Sequence, residues 1–511
     1  MEGDQEQEFL VGVATSGYQS EGGYNGPGEP QNNWSEYEAT GRVARTGEAA
    51  GFWTRYREDF ALCRGIGLNA FRLSIEWARV QPSHTAGTGR APEFDFEAID
   101  AYADRIAACR EAGLEPVVTL HHFTHPAWLG SDAWLDDETP GQFEKFVSTT
   151  VARVNHRLTA RHGQRPAGWY VTINEPNMLV LNTYMGRHFP GSRQGGIPTG
   201  VRAYNRLLSA HIRAYNAIHD LYETERWLAP RVSMNTFCSD VYWSEHLLFD
   251  LLSLRGSGVP ASGARDYFLS RENDFRRALA PCREGCRKDL LAGAGRLVHR
   301  LADFYARRAA TADGFSYFFA EAGRSKRDRV MDFLGLDYYD PFFAHLFRPP
   351  TFSDLEFSGG SLPGRLMDGL SSKWWDWHVA PEALHTFCRH YAGAFPGTGI
   401  LIAENGMALR SKVCSPASGG RRDRVLRSEF LAAHLRQVRR ILDDGIPLHG
   451  YLHWSLTDNY EWGSFTPRFG LFRIDYANGL ARQAEDHLGD NPSATYARLI
   501  RELGLAGQPA Q

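Results

Sequence analysis

Eight short apolar runs, separated by longer amphipathic stretches, limit what this chain can fold into more than any other feature. The runs are FLVGVAT (9–15), AFRLSI (70–75), EPVVTLHH (115–122), WYVTINE (169–175), RVSMNTF (231–237), FLGLDYY (333–339), ILIAEN (400–405) and GYLHWSL (450–456). Each is short, apolar and mostly bounded by Gly, Pro or charge, as strands buried on both faces are. Between most of them lie helical patterns such as FEAIDAYADRIAACREAG (96–113) and FLAAHLRQVRRILDDG (430–445), the second stopped by Gly445. Strands alternating with helices in this number predict an α/β fold, a (β/α)8 or TIM barrel. Such a barrel absorbs more than 400 residues when it carries insertions, so the 511-residue chain reads as a single domain over 1–511.

Two stretches depart from the plain repeat. Residues 243–330 read as a divergent helical insertion between the fifth and sixth strands. Residues 349–375 are rich in Pro, Gly and Ser and carry two tryptophans, and read as a long loop beside the site; 415–424 reads as an exposed loop.

Charge and cysteine content exclude several classes of partner. The net charge is −4 with no long basic tract, which argues against nucleic acid and anionic membrane as partners. No apolar run is long enough to span a bilayer. The acidic N-terminus MEGDQEQEF has no secretory pattern, and the seven cysteines are scattered and odd in number. Together these predict reduced thiols and a cytoplasmic protein. Cys282 and Cys286 lack a second Cys/His pair, so no metal site is expected there. Aromatic residues make up 13% of the chain, which suits either a large core or a ring-lined site for sugars. The sequence carries no signal for oligomeric state.

The chemistry is carried by two of the predicted strands, which both end on a glutamate. YVTINEP places Glu175 after Asn174 and before Pro176; GILIAENG places Glu404 before Asn405 and Gly406. In a parallel barrel all strands point their C-terminal ends to one face, where the active site lies. Glu175 and Glu404 are therefore expected on that face, from opposite sides of its mouth. Paired carboxyl groups cleave glycosidic bonds, one as proton donor and the other as nucleophile or base. Roughly 5–5.5 Å between them gives retention, and roughly 6.5–9.5 Å gives inversion. Asn174 and the apolar strand leave Glu175 in a dry, uncharged setting that suits an acid. Arg72 and Tyr339 are positioned to supply the charge and hydrogen bond that keep Glu404 ionised. Against this, a lone strand-end glutamate commonly sits beside a helix N-cap or in an ion pair, and Arg72 alone suits a structural ion pair equally well.

Six ordered segments together resemble glycoside hydrolase family 1, the retaining β-glycosidases, over nearly the whole chain: FLVGVATSGYQSEGG, FRLSIEWARVQP, VTLHHFTHPAWL, TINEP, IAENG and YLHWSLTDNYEWGSFTPRFGLFRIDY. The resemblance implies that Glu175 is the general acid/base and Glu404 the nucleophile that forms a covalent glycosyl-enzyme. It implies that Asn174 holds the sugar 2-hydroxyl, that Arg72 lies against Glu404 and that Tyr339 touches the same carboxylate. Gln19, His122, Trp454 and Glu461 would grip the non-reducing sugar. Trp462 would contact its 3- and 4-hydroxyls, and the leaving group would stack on Trp377. The implied substrate is a small-molecule or oligosaccharide β-glycoside, with no cofactor and no metal.

Each role has a plainer counterpart: Trp454 and Trp462 as core, His122 as an interior histidine, and Asp458 and Asn459 as turn caps. His121 is expected to face away from His122, since neighbouring strand residues point opposite ways. Glu461 favours unphosphorylated glucose, galactose or fucose, because a carboxylate repels a phosphate dianion. Asp337 stands where the family usually has Asn. There it would disturb the hydrogen bonding around the nucleophile or raise a local pKa, unless it faces away. The divergence of 243–330 leaves leaving-group specificity open. Two alternatives remain beside hydrolysis: transglycosylation through the same glutamates, and a non-catalytic sugar-binding barrel.

Overall fold

The computed structural model describes residues 8–82, 91–187, 189–285, 304, 307, 313–339, 341, 379–411, 421 and 423–506. Trp377, Cys286, the 349–375 segment and most of 415–424 lie outside the described residues, as do several stretches within 286–312.

The predicted runs form the wall of a barrel. In chain order the strands are β1 (Leu10–Ala14), β2 (Ala70–Ser74), β3 (Glu115–Thr119), β4 (Trp169–Val171), β5 (Arg231–Ser233), β6 (Asn235–Phe237), β7 (Phe333–Tyr338) and β8 (Gly399–Asn405); β9 (Leu409–Arg410) follows outside the wall, and β10 (Leu448–Trp454) returns to it. Every pairing in the wall is parallel, in the order β5-β4-β3-β2-β1-β10-β8-β7-β6. The ends of this sheet, β5 and β6, are two halves of one predicted run, RVSMNTF, interrupted at Met234. β5 pairs with β4 and β6 with β7, so the covalent chain closes the ring.

Two layers of packing hold the wall. Leu10, Ala14, Ala70, Val117, Trp169, Val171, Phe237, Phe333, Leu401, Ala403 and Leu452 fill the interior. Val11, Val13, Phe71, Leu73, Val118, Tyr170, Val232, Ile400 and Ile402 join the larger core outside it. This is the two-residue period of a pleated strand, with both faces apolar. Helices Phe96–Glu111, Thr139–His162, Ile197–Glu225, Pro381–Ala394 and Arg427–Asp443 supply outer-layer residues such as Ile106, Phe146, Leu207, Leu384 and Leu435.

The alternation breaks at the mouth. Along β8, Leu336 of β7 stands opposite Ile402 but Asp337 stands opposite Glu404, leaving one extra residue on β8. β10 shows the same surplus, Tyr451 facing Ile402 and His453 facing Asn405. This is a β-bulge at Ala403, and it re-aims the side chain that follows. Leu401 and Ala403 already point inward, so an unbroken pleat would turn Glu404 toward the helices. β3 and β4 are shorter than their apolar runs predict, ending at Thr119 and Val171. Beyond them the chain leaves the regular ladder, although Asn174 N still donates to His121 O at 2.8 Å.

The described parts of 243–330 carry the helices His246–Ser253, Ala264–Gly285 and Ser316–Arg324. Arg271 ties the second of these to the first through Asp250 at 2.8 Å, and to the body through Ala394 O at 3.1 Å. Among the described residues, no helix is long and apolar enough to cross a membrane.

Candidate active site

Glu175 follows the fourth strand in a left-handed conformation, φ 36° and ψ 62°, which a residue with a Cβ adopts at a cost. It occupies the N-cap position of the short helix Pro176–Leu179, yet its side chain makes no capping hydrogen bond. The carboxyl group is left for the mouth. Glu404 arrives from β8 through the bulge, and Gly406 completes the turn: a Cβ there would lie 2.1 Å from Trp454 O. Asp337 comes from β7. A carboxylate oxygen from each of Glu175, Asp337 and Glu404 lies within 4.8 Å of the other two, and all three residues are buried.

The three carboxyl groups have different neighbours. Arg72 Nη1 donates to Glu404 Oε1 at 2.7 Å, and Tyr339 Oη donates to Glu404 Oε2 at 2.6 Å. Arg72 also donates through Nε to Thr119 Oγ1 at 2.9 Å and through Nη2 to Asn174 Oδ1. Asn235 Nδ2 donates to Asn174 Oδ1 at 2.7 Å and to Asp337 Oδ2. Among the described residues, Glu175 Oε1 is buried with no donor from an amide, guanidinium or hydroxyl group.

Burial pushes the Glu175 carboxyl well above the usual range, with the Asp337 and Glu404 charges adding to it. Asp337 is pushed up by burial and then by Glu404. Glu404 is also raised by burial, but Arg72 and the Tyr339 hydroxyl pull it back. Three acidic side chains this close resemble a cation site. Here the Arg72 guanidinium already supplies a positive charge against Glu404.

Beside the trio lies a polar wall. Gln19 Nε2 donates to Glu461 Oε2 at 3.1 Å and to Tyr460 O at 2.8 Å, while Trp454 Nε1 donates to Glu461 Oε1 at 2.9 Å. Burial, followed by the Glu404 charge, pushes Glu461 up to about 8. The His122 ring stacks on Trp454 at 5.5 Å between centroids, and its Nε2 lies 3.3 Å from Asn174 Nδ2. His121 packs the other way, against Trp134 and Phe143. Trp462 is half-buried on Trp34, Phe123 and Phe189. The structure thus draws Arg72, Asn174, Glu175, Tyr339, Glu404, Gln19, His122, Trp454 and Glu461 into one contiguous site, with Trp462 on its aromatic flank. Asp337 faces inward. Sequence reading passed over Asn235 and Thr119, although a polar Asn235 midway along RVSMNTF interrupts an apolar run much as Asn174 and Asp337 do.

The sequence model of glycosyl hydrolase family 1 matches residues 2–236 and 302–489. The chain belongs to glycosyl hydrolase family 1. The break in the match falls mostly within the divergent helical stretch. Among sequence relatives, β-glucosidase A of Thermotoga maritima is 27% identical over 97% of this chain and 98% of its own length. The 6-phospho-β-galactosidase of Clostridium acetobutylicum is 26% identical over 92% of each chain. Among solved structures, the β-glucosidase of Trichoderma harzianum is similar in fold, with a TM-score of 0.66 and 20% identity, covering 98% of this family 1 chain and 99% of its own.

Proposed function

We propose that this family 1 protein hydrolyses terminal, non-reducing β-glycosides of unphosphorylated sugars, namely glucosides, galactosides or fucosides, with net retention. Glu175 is the acid/base and Glu404 the nucleophile. One observation carries the assignment: two buried carboxyl groups approach within 4.8 Å, and the cation and the tyrosine hydroxyl both serve Glu404 while Glu175 Oε1 has neither. An oxygen–oxygen approach of this kind supports the roughly 5–5.5 Å spacing of retention over the roughly 6.5–9.5 Å that admits a water for inversion.

In the first step Glu404 attacks the anomeric carbon, and Glu175 gives its proton to the departing glycosidic oxygen. In the second step Glu175 takes a proton from water, the water oxygen bonds to the anomeric carbon, and the bond to Glu404 breaks. Asn174, held by Arg72 and Asn235, faces the 2-hydroxyl. Gln19, His122, Trp454 and Glu461 hold the remaining hydroxyls.

The curated relatives include both glucosidases and a 6-phospho-β-galactosidase. The surroundings of Glu461 favour the unphosphorylated sugar. A phosphate dianion needs cations, and Arg468 of the same motif is already committed, 3.5 Å from Asp458 and donating to Ser411 O at 3.3 Å.

The test is nitrophenol release from a panel of β-glucoside, β-galactoside, β-fucoside, β-mannoside and β-glucoside 6-phosphate. Turnover of a glucoside, galactoside or fucoside without turnover of the phosphate is expected; silence across the panel would refute the reading. With an activated glycoside, Glu404→Gly is expected to be inactive. Azide is expected to restore Glu175→Ala and to give a β-glycosyl azide, whereas an α-azide would reverse the assignment.

A further inference from the structure

Among the described residues, three buried carboxyl groups face a single guanidinium, and a two-carboxylate mechanism accounts for only two of them. Hydrogen-bond direction shows what the third does. Arg72 can only donate, so Asn174 must present its oxygen to it. The Asn235 group facing that same oxygen must then be its amide nitrogen. The second hydrogen on that nitrogen points to Asp337 Oδ2, so Asp337 must accept. The chain of donors that begins at Arg72 therefore ends by favouring the ionised form of Asp337. Glu175 receives no such donor from the described residues. Among the described residues, its Oε1 and Asp337 Oδ1 are both buried without an amide, guanidinium or hydroxyl partner, and an oxygen of each carboxyl group lies within 4.8 Å of the other.

Two adjoining anions in a dry site repel strongly, so one of them keeps a proton. The other groups facing the pair do not change that balance. Arg72 and Tyr339 are committed to Glu404, which is itself an anion facing the pair. Burial raises the Cys238 thiol and lowers the His122 ring, so both remain neutral.

We propose that Glu175 and Asp337 share one proton as a hydrogen-bonded acid and carboxylate, with Asp337 the positioning residue that holds the proton on Glu175. This rests on the acid/base reading of Glu175 given above. Asp337 then keeps Glu175 armed as an acid at pH values where an isolated glutamate would be ionised. When Glu175 releases its proton to the glycosidic oxygen, two anions are left in contact. The strain between them makes Glu175 a stronger base toward the incoming water.

The experiment is the pH profile of kcat/KM for Asp337→Asn against wild type, using a β-glycoside with a poor leaving group that requires acid assistance. The substitution keeps the shape and removes the charge. The basic limb is expected to move to lower pH by about one unit or more, while the acid limb, set by Glu404, stays in place. A rate loss uniform in pH, with the basic limb unmoved, would show a merely structural role and overturn the proposal. Infrared titration of the wild type provides a second test that needs neither the variant nor activity. A protonated-carboxyl band, assigned by its loss in Glu175→Gln, is expected to persist well above the ordinary glutamate range. Its disappearance within that range would also overturn the proposal. Failure of azide rescue in Glu175→Ala would instead strike the catalytic assignment and leave the titration result standing.

Discussion

Arg72→Met tests how the site keeps its nucleophile ionised. The Arg72–Glu404 pair is almost wholly enclosed, with side-chain exposures of 0% and 4%. Removing the guanidinium takes a donor from Glu404 at 2.7 Å, another from Thr119 at 2.9 Å and a third from Asn174. Breaking a buried pair from one side costs about 3–5 kcal/mol when the remaining charge has no partner. Glu404 escapes part of that cost by taking up a proton. A neighbouring guanidinium lowers a carboxyl pKa by about 1–3 units, so its loss raises Glu404 by the same span. Glu404 must be ionised to attack, and activity below its pKa falls tenfold per unit. The acid limb of kcat/KM should therefore move about 1–3 units to higher pH, with a roughly 10- to 1,000-fold loss on its acid side. Arg72→Lys keeps the charge but not the fork, and should fall between the two. The assay is the pH profile on whichever nitrophenyl glycoside the wild type cleaves, alongside circular dichroism to establish folding. A folded Arg72→Met enzyme with an unmoved acid limb would refute the electrostatic argument.

Three further outcomes follow from the same geometry. Tyr339→Phe deletes the 2.6 Å hydrogen bond to Glu404; hydrogen bonds to charged groups contribute about 1.5–3 kcal/mol, so kcat/KM should drop roughly 10- to 100-fold at fixed pH. Glu461→Gln keeps one acceptor oxygen for the two donors Trp454 Nε1 and Gln19 Nε2 and sets an amide nitrogen against the other, so kcat/KM for the preferred glycoside should fall by a similar factor. Its ratio to the 6-phosphate rate should narrow, as a competition assay would read. Away from the site, Glu245 accepts from Tyr391, Ser239 and the Asp240 amide, and burial pushes it up to about 8. A raised carboxyl stabilises the fold at low pH and loses that contribution as pH climbs through its folded value. Urea unfolding should therefore show stability declining between about pH 5 and 8, with a shallower decline in Glu245→Gln.

The barrel was legible because burial on both faces writes each strand as an unbroken apolar run. The same property hid the direction of Glu404. A run such as GILIAEN has no polar phase, so its two-residue period cannot be read, and neither can the surplus residue at Ala403. The ends of EPVVTLHH and WYVTINE were overrun for a related reason: apolar or aromatic residues continue past the point where the chain leaves the ladder. Glu175, Glu404, Arg72 and Asn174 stood out as polar groups that an apolar setting would not tolerate without a use. Asn235 is the same kind of signal, weakened by the Met234 break that splits its strand. Which way Asp337 points was unreadable, because it depends on the parity of β7 against a bulged neighbour.

That bulge divides the barrel into two regimes. Below it, side chains obey the pleat, and any one position is hostage to the packing of its whole layer. Above it, the count has been reset, and each mouth residue is placed by its own turn. The lower wall can therefore change its packing without moving the carboxylates, and the rim can be rewritten without disturbing the wall. The cost falls on one alanine. Drawing Ala403 into the pleat, so that the bulge closes with the residue kept, would turn Glu404 outward among the helices and leave a well-formed barrel with nothing at its mouth to attack a sugar, whereas deleting Ala403 would straighten β8 and keep Glu404 facing in.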